Sequence, residues 1–153
     1  MPLVFRAAQL LIVCFFLAIT RAEGSREKVA VVDGVPVYRW TAFKSVYRND
    51  IDRALILRDF RRQGKTLPEH FIDEAIEMKI AADFGRDRRK LIKALKREGE
   101  TFGDYRQFTA EEIILQVMRK HETNPSSRSE AEWLDSLRKG AHIQTLEKPS
   151  HQR

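Results

Sequence analysis

After residue 22 the 153-residue sequence contains no cysteine; its one thiol, Cys14, sits in an apolar stretch near the N-terminus. That excludes disulfides, Cys-ligated metals and a thiolate nucleophile from everything downstream. Familiar catalytic patterns are missing as well. There is no P-loop, no GxGxxG, no GxSxG and no HExxH. The four histidines, His70, His121, His142 and His151, form no i, i+4 pair and read as solvated side chains. Ser45, Ser126, Ser127, Ser129, Ser136 and Ser150 carry no local nucleophile signature. The acidic doublets Asp73-Glu74 and Glu111-Glu112 point about 100° apart on a helix, which does not suit a shared carboxylate site. No catalytic residue, metal ligand or cofactor site is therefore expected. The longest apolar run, Ala7 to Ile19, is broken only by Gln9 and falls short of the roughly 20 residues of a membrane-spanning helix.

That run is better explained as a secretory signal. Arg6 precedes it, and Thr20-Arg21-Ala22 places small residues at the two positions that signal peptidase reads. Residues 1–22 are expected to be removed and the rest exported, with no integral membrane segment left. Phe15 and Phe16 after Cys14 argue against a lipid anchor. The chain holds 28 basic and 22 acidic residues; without Arg6 and Arg21 the balance falls from +6 to +4. In a cytosolic protein this charge would raise nucleic acid as a partner. Export turns the expectation toward acidic polypeptide segments or an anionic envelope surface.

Downstream, the pattern predicts a mainly helical domain over residues 23–146 and a disordered tail over 147–153. Val29 to Val32, an Asp33-Gly34 turn and Val35 to Tyr38 read as a hairpin, with Pro36 confining the second strand to an edge. A helical pattern runs from Trp40 toward Gln63, with Asn49-Asp50 as a break between two helices and Gly64 as a stop. Thr66 and Glu69 suggest a capping box for a helix carrying Phe71, Ile72, Ala75, Ile76, Ile80 and Phe84. Asp87 caps the next helix, with Leu91, Ile92 and Leu95 as its apolar face. Thr101 and Asp104 open a long helix bearing Tyr105, Phe108, Ile113, Ile114, Leu115, Val117 and Met118. Residues 122–129 read as a loop, Ser129 caps a helix from Glu130 to Lys139, and Ala141 to Leu146 alternates with strand period. Two short strands at opposite ends of the domain are unstable alone, so they are expected to pair in a small antiparallel sheet.

Two groups of residues are candidates for binding. Arg88, Arg89, Lys90 and Lys93 lie on a helix rich in cations and form a candidate electrostatic docking face. Aromatic and thioether side chains recur along the helices. Tyr47, Phe60, Phe84, Tyr105, Phe108 and Met118 are the candidates for lining an apolar groove, against the ordinary alternative that they fill the core.

The order of these elements resembles the N-terminal domain of SurA-type periplasmic chaperones. Val29-Ala-Val-Val-Asp-Gly-Val-Pro-Val37 is similar to that family's opening strand. Ile51 to Phe60 and Phe71 to Ile76 resemble its first helices, and Leu91 to Arg106 resembles its helix–Gly–turn–Tyr-Arg junction. Trp133 to Ile143 is similar to the helix and strand that complete the domain after the parvulin isomerase domains. Here only the loop at 122–129 stands in their place, too short for a parvulin domain. Phe108-Thr109 departs from the family's polar-then-aliphatic pattern. The resemblance implies an exported, ATP-independent, non-enzymatic chaperone that holds unfolded outer-membrane or secreted proteins in an apolar helical groove. Two other readings stand beside it: an isomerase-family member with residual or partner-supplied activity, and an envelope adaptor that binds a folded partner through the basic helix.

Overall fold

A computed structural model describes residues 26–40, 43–123 and 128–146. The expected signal segment, the tail and residues 124–127 of the expected loop lie outside these residues. The described chain is mainly helical, with one three-stranded antiparallel sheet.

The hairpin forms as expected. Strands β1 (Lys28–Val32) and β2 (Val35–Tyr38) flank a two-residue turn in which Asp33 and Gly34 have φ of 49° and 81°. Both positive angles match the type I′ turn that suits strand twist, and glycine meets the second without strain. Strand β3 (Ile143–Thr145) pairs antiparallel with β1, so the order is β2-β1-β3 and the two ends of the domain meet. Val32 pairs with Val35 across the turn, and Val31 with Pro36. In this turn geometry Val32 and Val35 exchange the ladder bonds, so the backbone nitrogen of Pro36 faces the open edge. That edge has no donor at its centre, which discourages a fourth strand.

Helix α1 (Asp50–Arg62) starts later than the pattern from Trp40 predicts. Asn49 is extended and caps the helix, accepting from the Ile51 and Asp52 amides. Residues 43–49 are irregular because they are tied sideways to the long helix. The Ser45 hydroxyl and the Val46 amide both donate to Glu112. Helix α2 (Glu69–Phe84) follows with Pro68 as its N-cap and without a side-chain cap. The Thr66–Glu69 box does not form. Thr66 stands two residues outside the cap, and Arg106 engages the Glu69 carboxylate instead. Gly85, at φ 60°, ends α2 in the left-handed conformation.

Helix α3 (Arg88–Arg97) is capped by Asp87. It buries Leu91 and Leu95, whereas Ile92, expected beside them, is 47% exposed. Ile92 sits one residue beyond the i, i+4 row, about 100° round the helix. Helix α4 (Phe102–Glu122) opens with the Thr101–Asp104 capping box and α5 (Glu130–Lys139) with a Ser129–Glu132 box. The Ser129 amide bonded to Glu132 holds that carboxyl below the ordinary glutamate range. Val117, expected on the apolar face of α4, is largely exposed. Thr109 turns its hydroxyl back onto the Tyr105 carbonyl, and Phe108 beside it is buried.

Three apolar clusters hold the elements together. Ala30, Val32, Val37 and Leu55 seat the sheet on α1. Tyr47, Ile56, Phe60, Leu115, Met118, Trp133 and Leu134 join α1, α4 and α5. Ile72, Ile76, Ile80, Leu91, Leu95 and Tyr105 join α2, α3 and α4. Helix α4 is the common spine. Every residue of these clusters lies between Ala30 and Leu134.

Candidate functional site

The aromatic groove expected from the sequence is closed. Tyr47, Phe60, Tyr105, Phe108 and Met118 are all buried in the core, and Phe84 is half-buried against the cluster that joins α2, α3 and α4. The reason is aromatic packing. Phe43 stacks on Phe108 at 4.7 Å between centroids and tilts against Tyr105 at 5.6 Å, while Trp40 meets Phe108 edge-on at 5.5 Å. Burial and the neighbouring Glu130 carboxylate push the Tyr47 phenol well above its ordinary pKa, and burial does the same for Tyr105.

An open apolar surface exists elsewhere, beneath the hairpin. Ala30, Val32, Val35 and Val37 share the sheet face that looks toward α1, by strand alternation and by the pairing of Val32 with Val35 and Ala30 with Val37. Three of them are buried, but Val35 is 56% exposed. The hairpin and α1 leave between them a half-open cleft of about 210 Å3. Its apolar walls are Val35, Pro36 and Val37 above, with Ala54 and Leu57 on α1 below.

Charged groups are fixed at both ends. At the turn, Arg58 is ion-paired with Asp33. At the other end stands a denser arrangement around Arg53, which is 4% exposed. Its guanidinium donates to Asp50 at 3.1 Å and to Glu111 at 2.7 Å. Glu111 also accepts from the Trp40 indole at 3.1 Å and from Gln107 at 3.0 Å. Arg26 lies over the Trp40 ring, 3.5 Å from its centroid, and is itself held by Glu100 and Asp104. Trp40 is thus both a wall of the cleft and a clamped ring whose face and edge are occupied. A second opening is lined by Arg39, Trp40, Phe43, Ser45, Tyr47 and Arg48, and Tyr47 is the one groove candidate that lines it.

None of the six groove candidates lines the cleft beneath the hairpin. The signal that could have found it was Arg53, which sits beside Asp52 and directly ahead of the apolar run Ala54 to Leu57. A charged residue buried on such a helix needs a partner network, and the network marks the cleft. The basic candidates sit far from it in the chain, on α3. Arg88 reaches Glu77 at 3.7 Å and lies over the Phe102 ring at 4.3 Å; Arg89 is exposed, 3.7 Å from Asp87. Lys90 and Lys93 are exposed and hold no ion pair among the described residues.

The chain matches no protein-family model and no curated protein. The cleft itself offers apolar walls, fixed hydrogen-bonding charges and no nucleophile–base pair. Among the described residues there is no group of three or more His, Asp or Glu side chains placed to hold a metal. None of the helices described is long and apolar enough to cross a membrane.

Proposed function

We propose that this chain is an exported, non-enzymatic binding domain of the chaperone type, capturing extended segments of unfolded polypeptide in the cleft beneath the hairpin. The observation that carries this reading is Val35, an apolar residue on the core-facing side of the sheet that nothing covers. The volume, about 210 Å3, is below the roughly 300–1,000 Å3 of small-molecule pockets. It suits one or two apolar side chains of a passing chain. Each contributes about 1.5–3 kcal/mol when fully buried. Two of them, with hydrogen bonds to the fixed charges, support affinity near the micromolar level, about −8 kcal/mol. That strength lets a client leave without an energy source. The resemblance to SurA-type chaperones supports the same reading, although the capture surface differs from the aromatic groove it suggested. Pro36 disfavours strand addition on the β2 edge, the one that borders the cleft, so a client there lies in the cleft and does not pair with β2.

The test uses an unfolded outer-membrane protein diluted from urea and followed by light scattering. A several-fold excess of this chain should suppress aggregation. Val35→Lys should weaken that suppression at least tenfold with no loss of thermal stability, since the position is an exposed edge residue. Trp40 provides a direct signal. Its fluorescence should change on binding and the change should vanish in Trp40→Phe, because the other tryptophan, Trp133, is buried in the core. Suppression that survives Val35→Lys unchanged would remove the cleft from the mechanism. In a cis-to-trans assay on a Xaa-Pro peptide the chain should run at the uncatalysed rate.

A further inference from the structure

Helix α3 differs from the other helices in the charge of its first turn. The first turns of the other four helices carry acids: Asp50 and Asp52 in α1, Glu69 in α2, Asp104 in α4, Glu130 and Glu132 in α5. Those acids favour the positive end of the helix dipole. Helix α3 opens with Arg88, Arg89 and Lys90 and contains no acid anywhere, reading RRKLIKALKR. Leu91 and Leu95 face the core, so the helical repeat turns Arg89, Lys93, Lys96 and Arg97 outward on one surface, with Lys90 on its flank. All five are exposed, and Lys90, Lys93, Lys96 and Arg97 hold no ion pair among the described residues. Ile92 stands at the other border of this surface, 47% exposed.

We infer that this face docks on an anionic lipid bilayer surface. Three features select that partner. The cations are numerous, uninterrupted by acid and mostly carried on flexible stems, which suits a diffuse lattice of headgroups and not one patterned protein epitope. The face ends in an exposed aliphatic side chain, able to enter the interface beside the headgroups. It has no exposed aromatic on which nucleic acid bases could stack. The inference does not depend on the peptide-binding reading. A domain held this way would keep its cleft near the membrane while remaining free to leave when salt screens the contact.

Sedimentation with vesicles decides it, comparing phosphatidylcholine alone with phosphatidylcholine containing 30% phosphatidylglycerol. The full chain and residues 23–153 are run in parallel, so that lipid affinity of the apolar stretch at 7–19 is separated. The shorter chain retains all three core clusters and both strand pairings. It should bind only the anionic vesicles, and binding should fall steeply between low and physiological salt. Each cation near such a surface contributes roughly fivefold in affinity. The variant Arg89→Gln, Lys93→Gln, Lys96→Gln, Arg97→Gln should therefore lose binding by at least a hundredfold while keeping its helical circular dichroism. Ile92→Ser should lose a few-fold. The matched variant Arg48→Gln, Arg61→Gln, Arg62→Gln, Lys120→Gln removes the same charge elsewhere and should retain most of the binding. Equal losses in the two quadruple variants would overturn the proposal, because net charge would then explain the result. Absence of binding to anionic vesicles at low salt would overturn it too. So would preferential binding of polyglutamate or duplex DNA that prevents vesicle binding at equal charge concentration.

Discussion

Trp133→Ala should lower the stability of the domain by about 3–5 kcal/mol, a large share of the roughly 5–15 kcal/mol that holds a typical small protein folded. The indole is 1% exposed and packs with Ile56, Phe60, Leu115 and Met118 between α1, α4 and α5. Helix α5 is only ten residues long and buries just two, Trp133 and Leu134. Removing the larger therefore takes away most of what seats α5. The consequence reaches the sheet, because β3 follows α5 directly and is three residues long. An antiparallel pair that short does not hold by itself. Amide exchange should show the α5–β3 segment opening first, while the amides of α2 and α3, packed in a separate cluster, stay protected until global unfolding. Urea unfolding followed by circular dichroism measures the total. A loss below about 1 kcal/mol would mean that α5 is seated by its ion pairs and not by its apolar side chains.

Much of this architecture was legible before any coordinates. The hairpin, the edge position of Pro36, the caps at Asp87, Thr101 and Ser129, and the antiparallel pairing of the chain's ends all follow from local chemistry. An Asp-Gly turn, a capping side chain or an alternating strand needs only its neighbours to be recognised. The misreadings share one cause, which is a distant partner competing with a local one. Residues 43–49 have helical composition, yet Glu112 on α4 draws Ser45 and Val46 out of a helix. Thr66 and Glu69 are correctly spaced for a box, yet Arg106 takes the carboxylate.

The site was less legible than the fold for the same reason. Periodicity shows that Phe108 and Tyr105 lie on an apolar face, but not that Phe43 and Trp40 arrive from the irregular segment to cover it. The cleft depends on how the hairpin is set against α1, which is a matter of how far two elements slide along each other. No pattern in a single segment encodes that. What the sequence does carry is Arg53, a cation directly ahead of the apolar run Ala54 to Leu57, and the basic face of α3 with its acid-free first turn.

Arg53→Ala should destabilise the domain by about 3 kcal/mol and at the same time abolish cleft function. The guanidinium is buried and bridges Asp50 on α1 to Glu111 on α4. Its removal leaves two largely buried carboxylates facing each other with reduced compensation. Breaking one side of a buried pair costs about 3–5 kcal/mol. The lower end applies here, since Arg39 still reaches Asp50 at 3.4 Å and the Trp40 indole still donates to Glu111. The double variant Arg53→Met, Glu111→Leu separates the two effects. With both charges gone and the volume roughly kept, stability should return to within about 1.5 kcal/mol of the parent chain, because a buried ion pair contributes little over a packed apolar pair. Client holding should not return. Trp40 loses the acceptor that fixes its ring, and the cleft loses the charges at its inner end. A double-mutant cycle on urea midpoints, run beside the light-scattering assay, reads both quantities on the same proteins. Recovery of stability without recovery of holding would show that Arg53 is kept for the shape and polarity of the cleft. Recovery of both would assign the arginine to packing alone.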